Sequence, residues 1–283
     1  MFMFKKRKKE SIAIPFLLSM FFTLIIVGIP VTKYYNYLLE VNEASNIDNS
    51  NETFIPDASN NTTLLFALNN EDPALRDSFM ILRTVATEQK LIFIPVSNDI
   101  VCDGKKMADI YNSGGIIELN KAVEKTFDFK IDRYMDLSRE SFTVLADVLG
   151  GVNYNVPKGL KGINEGTQFL SSDLIITLIS NKKLPEDKRT VTTGSVISDM
   201  LKQTNGERVV DCFDYTFNKL MNLVGSGTNI TSIDYSSQKR AMAYIFDVSK
   251  VNATYKIPTC SETKDGLVLE KSAVKELKEE MGL

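Results

Sequence analysis

The chain has no histidine and no tryptophan among its 283 residues. Without an imidazole it is denied His-based general acid–base chemistry and any His-ligated metal. Cysteine is scarce: only Cys102, Cys212 and Cys260 are present, at spacings that match no metal motif. A Cys212–Cys260 disulfide outside the cell and three small buried thiols are both compatible with that pattern. Charge is absent from one whole stretch, Ile12 to Val31, where thirteen of twenty residues are Ile, Leu, Phe or Val. A helix of that length rises about 30 Å, one hydrocarbon core. A cleaved signal peptide would have a shorter apolar core and a small-residue cleavage site. Here Val31-Thr-Lys-Tyr-Tyr35 follows instead, so the segment reads as a membrane anchor.

What is present around that segment orients it. Lys5, Lys6, Arg7, Lys8 and Lys9 precede it, against Glu10 alone. Basic flanks stay in the cytoplasm, which puts the C-terminal part outside. The first eleven residues carry +4 and the whole chain −3, leaving −7 for the remainder. That acidic balance argues against a nucleic-acid partner. The expected organisation is a basic tail at 1–11, the anchor at 12–31, a polar Asn-rich stalk at 32–60 and an outer domain at 61–283.

Within the outer domain, Thr63–Leu68, Phe79–Val85 and Lys90–Val96 are short apolar runs bounded by turn formers, and read as strands. Asp109–Gly115 reads as a loop, and Ile117–Phe127 has helical spacing. Ile131–Leu137 returns to strand. Ser138 is a good N-cap for a helix to Leu149, stopped by Gly150-Gly151, and Val152–Val156 is a strand. From Gly166 the pattern turns mainly helical, with helices at Asp173–Ile179, Gly194–Lys202, Asp211–Leu223 and Ser232–Phe246. Asn252–Ile257 is a late strand and Lys271–Met281 a terminal helix. Strands alternating with helices predict a layered α/β domain, and the close succession of early strands predicts a mixed sheet.

One stretch is specific. Lys106-Met-Ala-Asp-Ile-Tyr-Asn-Ser-Gly-Gly115, Ile131-Asp-Arg-Tyr134, Val144-Leu-Ala-Asp-Val-Leu-Gly-Gly-Val-Asn-Tyr-Asn-Val-Pro157, Gly166-Thr-Gln and Tyr255-Lys-Ile-Pro258 stand in this order. In motif and spacing they resemble the LytR–CpsA–Psr family of cell-wall glycopolymer ligases. The resemblance implies an α-β-α domain with a central mixed sheet. It also implies a reaction: a glycopolymer on polyprenyl pyrophosphate is transferred to peptidoglycan at the outer face of the membrane. Arginines and a carboxylate-held Mg²⁺ would neutralise the pyrophosphate, and an apolar cavity would take the lipid.

By the same resemblance, Arg189, Lys106 and Lys182 are the candidate catalytic cations. Arg76, Tyr111, Leu174 and Leu178 are candidates for substrate binding, and Asp77 and Asn69 for a weakened Mg²⁺ site. The chain departs from the pattern at several of these positions. Gly-x-Asp becomes Ala67-Leu68-Asn69, I-P-R-D becomes Ile94-Pro95-Val96-Ser97, and the paired arginines become Ser180-Asn181-Lys182. Arg76 is shifted by one place, which on a strand would turn it to the other face. Losing one charge-stabilising group can cost ~10²–10³ in rate, so a non-catalytic relative that binds lipid or glycan is the competing reading, and a polyprenyl-pyrophosphate phosphatase a weaker third. Each candidate also has a plain structural role open to it: Asp77 as a turn cap, Tyr111 as packing, Lys106 and Lys182 as surface charge, and the Leu174/Leu178 face as core.

Overall fold

The structure, a computed structural model, describes residues 54–70, 72 and 75–283. The proposed tail, anchor and most of the stalk lie outside the described residues. Among the described residues no helix is long and apolar enough to cross a membrane. Residues Phe54–Leu283 form one compact unit.

Five strands make the central sheet: β1 (Thr62–Leu68), β2 (Ser78–Val85), β3 (Lys90–Val96), β6 (Arg133–Leu137) and β9 (Asn252–Tyr255), in the order β6-β1-β2-β3-β9. β1–β2 and β2–β3 pair antiparallel; β6 on β1 and β9 on β3 pair parallel. The sheet is therefore mixed, as expected. Short hairpins pair β4 (Val101–Cys102) with β5 (Lys105–Lys106), β7 (Val152–Val156) with β8 (Gly166–Leu170), and β10 (Cys260–Glu262) with β11 (Leu267–Leu269).

Alternation along the strands divides the core in two. Leu65, Ala67, Ile81, Ile92 and Ile94 face α1 (Met107–Phe127) and α8 (Lys271–Met281). Leu82, Leu91, Phe93, Met135 and Leu137 face the opposite layer. That layer holds α2 (Arg139–Leu149), α3 (Ser172–Ile179), α4 (Glu186–Gln203), α5 (Gly206–Asp211), α6 (Phe213–Val224) and α7 (Ser232–Phe246). Both faces being covered explains why β2 and β3 are buried along nearly their whole length.

Several boundaries differ from the sequence expectation. Asp109–Gly115 is not a loop: α1 begins at Met107, and Gly115, non-helical at φ 65° and ψ −163°, parts it into two helical segments, the second ending at Phe127. Gly166–Leu170 is a strand, because it is the partner Val152–Val156 needs. Helix α4 starts eight residues before Gly194, and that glycine lies in its middle. A Cβ there would sit 2.7 Å from Tyr255 Cδ2 and 2.8 Å from Pro95 Cγ, so Gly194 allows the helix to lie close against the sheet. The helix over Arg139–Leu149 agrees with its signals: Ser138 accepts from Ser141 N, and Gly150 closes it at φ 92°. All three cysteines are free thiols, so the Cys212–Cys260 disulfide does not form.

Candidate functional site

β1 and β6 run parallel, and their C-terminal ends open on one edge of the sheet, the usual place for a site in α/β folds. A hollow of about 720 Å³ lies there, lined by Asn69, Asn70, Asp72, Asp136, Arg139, Glu140 and Asp173 among others. On the helical side of the sheet lies an apolar cavity of about 530 Å³. Leu64, Phe66, Leu82, Phe93, Met135 and Leu137 form its floor, and Phe142, Leu145, Ala146, Ile197, Met200, Phe213, Leu220 and Phe246 its walls. The volume is in the range of ~300–1,000 Å³ common to ligand sites.

The predicted residues separate into three groups. The first gathers round the hollow. Asn69 follows β1, its backbone N–H donating to Leu137 O at 2.8 Å. Its amide donates to the Tyr111 hydroxyl, which is buried on α1 and donates to Asp136 Oδ1 at 2.6 Å. Phe79 holds the Tyr111 ring edge-on, with centroids 5.1 Å apart. Asp77 accepts from Asn70 N at 2.9 Å, and its charge acts on both Asp136 and Tyr111. Burial, and then the charge of Asp77, raise the Asp136 carboxyl above its ordinary value. Burial and the adjoining Asp136 push the Tyr111 phenol far up, so it stays a proton donor.

The second group converges on Glu186, in the first turn of α4. Arg189 is 2% exposed and each of its three nitrogens donates to an acceptor within the fold. Nε and Nη2 donate to Glu186 at 2.9 and 2.6 Å, and Nη1 donates to Ser78 Oγ, Ile179 O and Asp77 O. Arg76 precedes β2 rather than lying on it, so the expected strand flip does not apply; its Nη1 donates to Glu186 Oε2 at 3.0 Å. Glu186 Oε1 also accepts from Ser97 Oγ and Asn98 N. A guanidinium so enclosed has no fork left for a phosphate. Arg189 therefore fastens three elements together in this structure.

The third group lies apart. Lys106 pairs with Asp99 at 2.7 Å, and that carboxylate raises its pKa. Lys182 is exposed in the turn after α3. Leu178 is fully buried in the core and Leu174 packs against it. Neither lines the apolar cavity.

Sequence reasoning missed Asp136, Arg139 and Glu186. Asp136 left a signal: it is the one acid within a strand whose neighbours Met135 and Leu137 are buried. Arg139 and Glu186 left none, each being a charged residue in a helical first turn. Arg139 lines the hollow, with Nη2 donating to Asp173 Oδ1 at 2.7 Å.

Among the described residues no three Cys, Asp or Glu side chains gather as a metal cage. Mg²⁺ commonly needs only one or two carboxylates, completing its shell with water and substrate oxygens. Asp77 and Asp136 are hard oxygen donors whose charges act on each other, the donor chemistry such an ion would require.

No curated protein matches this chain. Among solved structures, a protein of Eubacterium siraeum DSM 15702 described as a transcription regulator superposes with a TM-score of 0.68 at 19% identity, covering 83% of this chain and 96% of that one. TagT bound to LI-WTA superposes with a TM-score of 0.57 at 15% identity, covering 82% and 92%. Bacillus subtilis TagV gives 0.54 at 13%, covering 78% and 95%. The profile of the LytR_cpsA_psr family matches residues 41–175, a span that runs through β1, the Tyr111 helix, Asp136 and the start of α3. That match, over just under half of the chain, and the shared sheet and helix layers support membership of the LytR–CpsA–Psr family.

Proposed function

We propose that this chain is a membrane-anchored protein of the cell envelope that binds polyprenyl-phosphate-linked glycopolymer on the outer side of the membrane and holds it without transferring it. The observation that carries this reading is the apolar cavity between the sheet and α2, α4, α6 and α7, in the fold also adopted by TagT bound to LI-WTA. The lipid tail would lie in the cavity, and the phosphate and first sugars near the hollow at the ends of β1 and β6. The uncharged Ile12–Val31 segment and its basic flank support anchoring with the domain outside.

Charge favours holding over transfer. The cations expected to stabilise a pyrophosphate are already engaged within the fold: Arg189 and Arg76 share the Glu186 carboxylate, and Lys106 pairs with Asp99. The hollow is lined by Asp72, Asp136, Glu140 and Asp173 against Arg139. Phosphoryl transfer depends on preorganised positive charge at the phosphate oxygens, and this arrangement supplies little.

A second reading, transfer of the glycopolymer to peptidoglycan, is favoured by the Asn69–Tyr111–Asp136 chain beside Asp77. Asp77 and Asp136 would hold Mg²⁺, which when bound screens phosphate charge. Tyr111 would keep Asp136 oriented, and Arg139 would meet a phosphate oxygen.

The full-length chain in detergent, with Mg²⁺, a labelled polyprenyl-pyrophosphate saccharide and a peptidoglycan acceptor, separates these readings. The expected result is saturable binding, weakened by Ala146→Phe, which fills the cavity, with no label on the acceptor. Label reaching the acceptor, and lost in Asp77→Ala, establishes transfer. Release of phosphate without transfer establishes a phosphatase. Absence of binding in the wild type overturns all three.

A further inference from the structure

The apolar cavity has a second polar border, at the N-terminal end of β6 and away from the hollow. Arg133, the first residue of β6, and Asp234, in the first turn of α7, both stand on it. Arg133 grips the Asp234 carboxylate with two prongs, Nε to Oδ2 at 2.8 Å and Nη2 to Oδ1. The two residues are 101 positions apart in the chain. β6 is an edge strand of the sheet, and the segment leading into α7 is stitched to it nearby. Tyr134 N donates to Asn229 Oδ1 at 2.7 Å, and Thr228 Oγ1 donates to Tyr134 O at 2.7 Å.

The same Asp234 starts its helix. Its Oδ2 accepts from Thr231 N and Thr231 Oγ1, and its own N–H donates to Thr231 Oγ1, a reciprocal cap. One carboxylate thus couples the start of α7 to the sheet. Phe213, Phe217, Leu220, Met242 and Phe246 of α6 and α7 also line the cavity, beside the polar Thr216, Tyr235, Ser237, Gln238 and Lys239; the apolar contacts are ones a hydrocarbon chain could replace in kind. The Arg133 and Asp234 side chains are 39% and 22% exposed. Water and salt reach a pair at that depth, which keeps it weak enough to open and close.

We propose that the Arg133–Asp234 pair is a latch on this mouth of the cavity, and that its opening frees α6 and α7 to admit and release an apolar chain. The identity of that chain rests on the lipid reading above; the latch itself does not. Hydrogen exchange of the full-length protein tests the latch without ligand. Arg133→Ala and Asp234→Asn are each expected to speed exchange of amides in 228–246 roughly three- to fivefold, the scale of a partly exposed pair. Amides of β1–β3 should be unchanged, and Arg133→Lys should fall between wild type and Arg133→Ala. Unchanged exchange in 228–246 overturns the latch, as does an equal rise across the sheet.

Stopped-flow uptake and release of fluorophore-tagged geranylgeranyl phosphate then tests the gate. Both rates are expected to rise by a similar factor in Arg133→Ala while the dissociation constant stays within about twofold. Faster exchange of amides with unchanged probe rates overturns the gate. If the wild type takes up no geranylgeranyl probe, the lipid reading fails, and the same kinetics with 1-anilinonaphthalene-8-sulfonate, an apolar dye, decide the gate in the same way.

Discussion

Arg189 illustrates how a residue type can mislead about chemistry. Its guanidinium lies beneath β2 and α3, with all three nitrogens hydrogen-bonded. Truncating it leaves Glu186, 8% exposed at its side chain, as a buried charge with fewer partners. Arg189→Met is expected to destabilise the domain by about 3–5 kcal/mol, the usual consequence of breaking a buried pair. Urea denaturation checks this, and a change near zero would return Arg189 to the candidate ligands. Asp136 points the other way. A carboxyl whose folded pKa is raised is bound more tightly to its proton in the fold than in the unfolded chain. Its ionisation therefore costs stability, and that cost grows as pH rises from the ordinary carboxylate value through the raised one. Asp136→Asn keeps an oxygen for Tyr111 and removes the repulsion from Asp77. It should melt higher than wild type at pH 7, and the gap should close below pH ~3.8, the unfolded value, where both side chains are neutral. A gap independent of pH would mean that charge is not the cause.

At the scale of elements, the strands were legible where both faces of the sheet are covered, because continuous apolar runs of Phe79–Val85 and Lys90–Val96 allow little else. Ser138 and Gly150-Gly151 marked α2 correctly through cap chemistry, which is local. Three elements were read wrongly for non-local reasons. Gly166–Leu170 is a strand because β7 pairs with it. Gly115 parts two helical segments rather than closing a loop. Gly194 looked like a helix start and is a point of close approach. Helix α3 bears on the cavity question directly. Leu178 is fully buried among its neighbours in the core and outside the cavity lining. Leu178→Ala is expected to lose about 2–5 kcal/mol of stability with the affinity of the remaining folded protein for lipid unchanged. A selective loss of affinity in thermally intact protein would restore this helix to the lipid wall.

At the scale of the molecule, the last element closes the first. Leu277 and Met281 of α8 complete the core on the α1 side of the sheet, and Arg83, buried in β2, donates through Nε to Met281 O and through Nη1 to Thr63 Oγ1. A chain ending at Glu270 would uncover that apolar face and strand a guanidinium that burial already disfavours. Such a truncation should not give a cooperative thermal transition; a wild-type melting temperature would show that α8 is dispensable. The sequence by itself determined the layered α/β class, the mixed sheet, the cap-defined helix and the family resemblance, because periodicity, caps and ordered motifs are properties of neighbouring residues. Only the tertiary structure decided which charges meet. Glu186 finds Arg76, Arg189 and Asn98, and Arg133 finds Asp234, across roughly a hundred residues of chain in three of these four contacts. Whether a cation stands free for a phosphate depends on such encounters, and no local pattern records them.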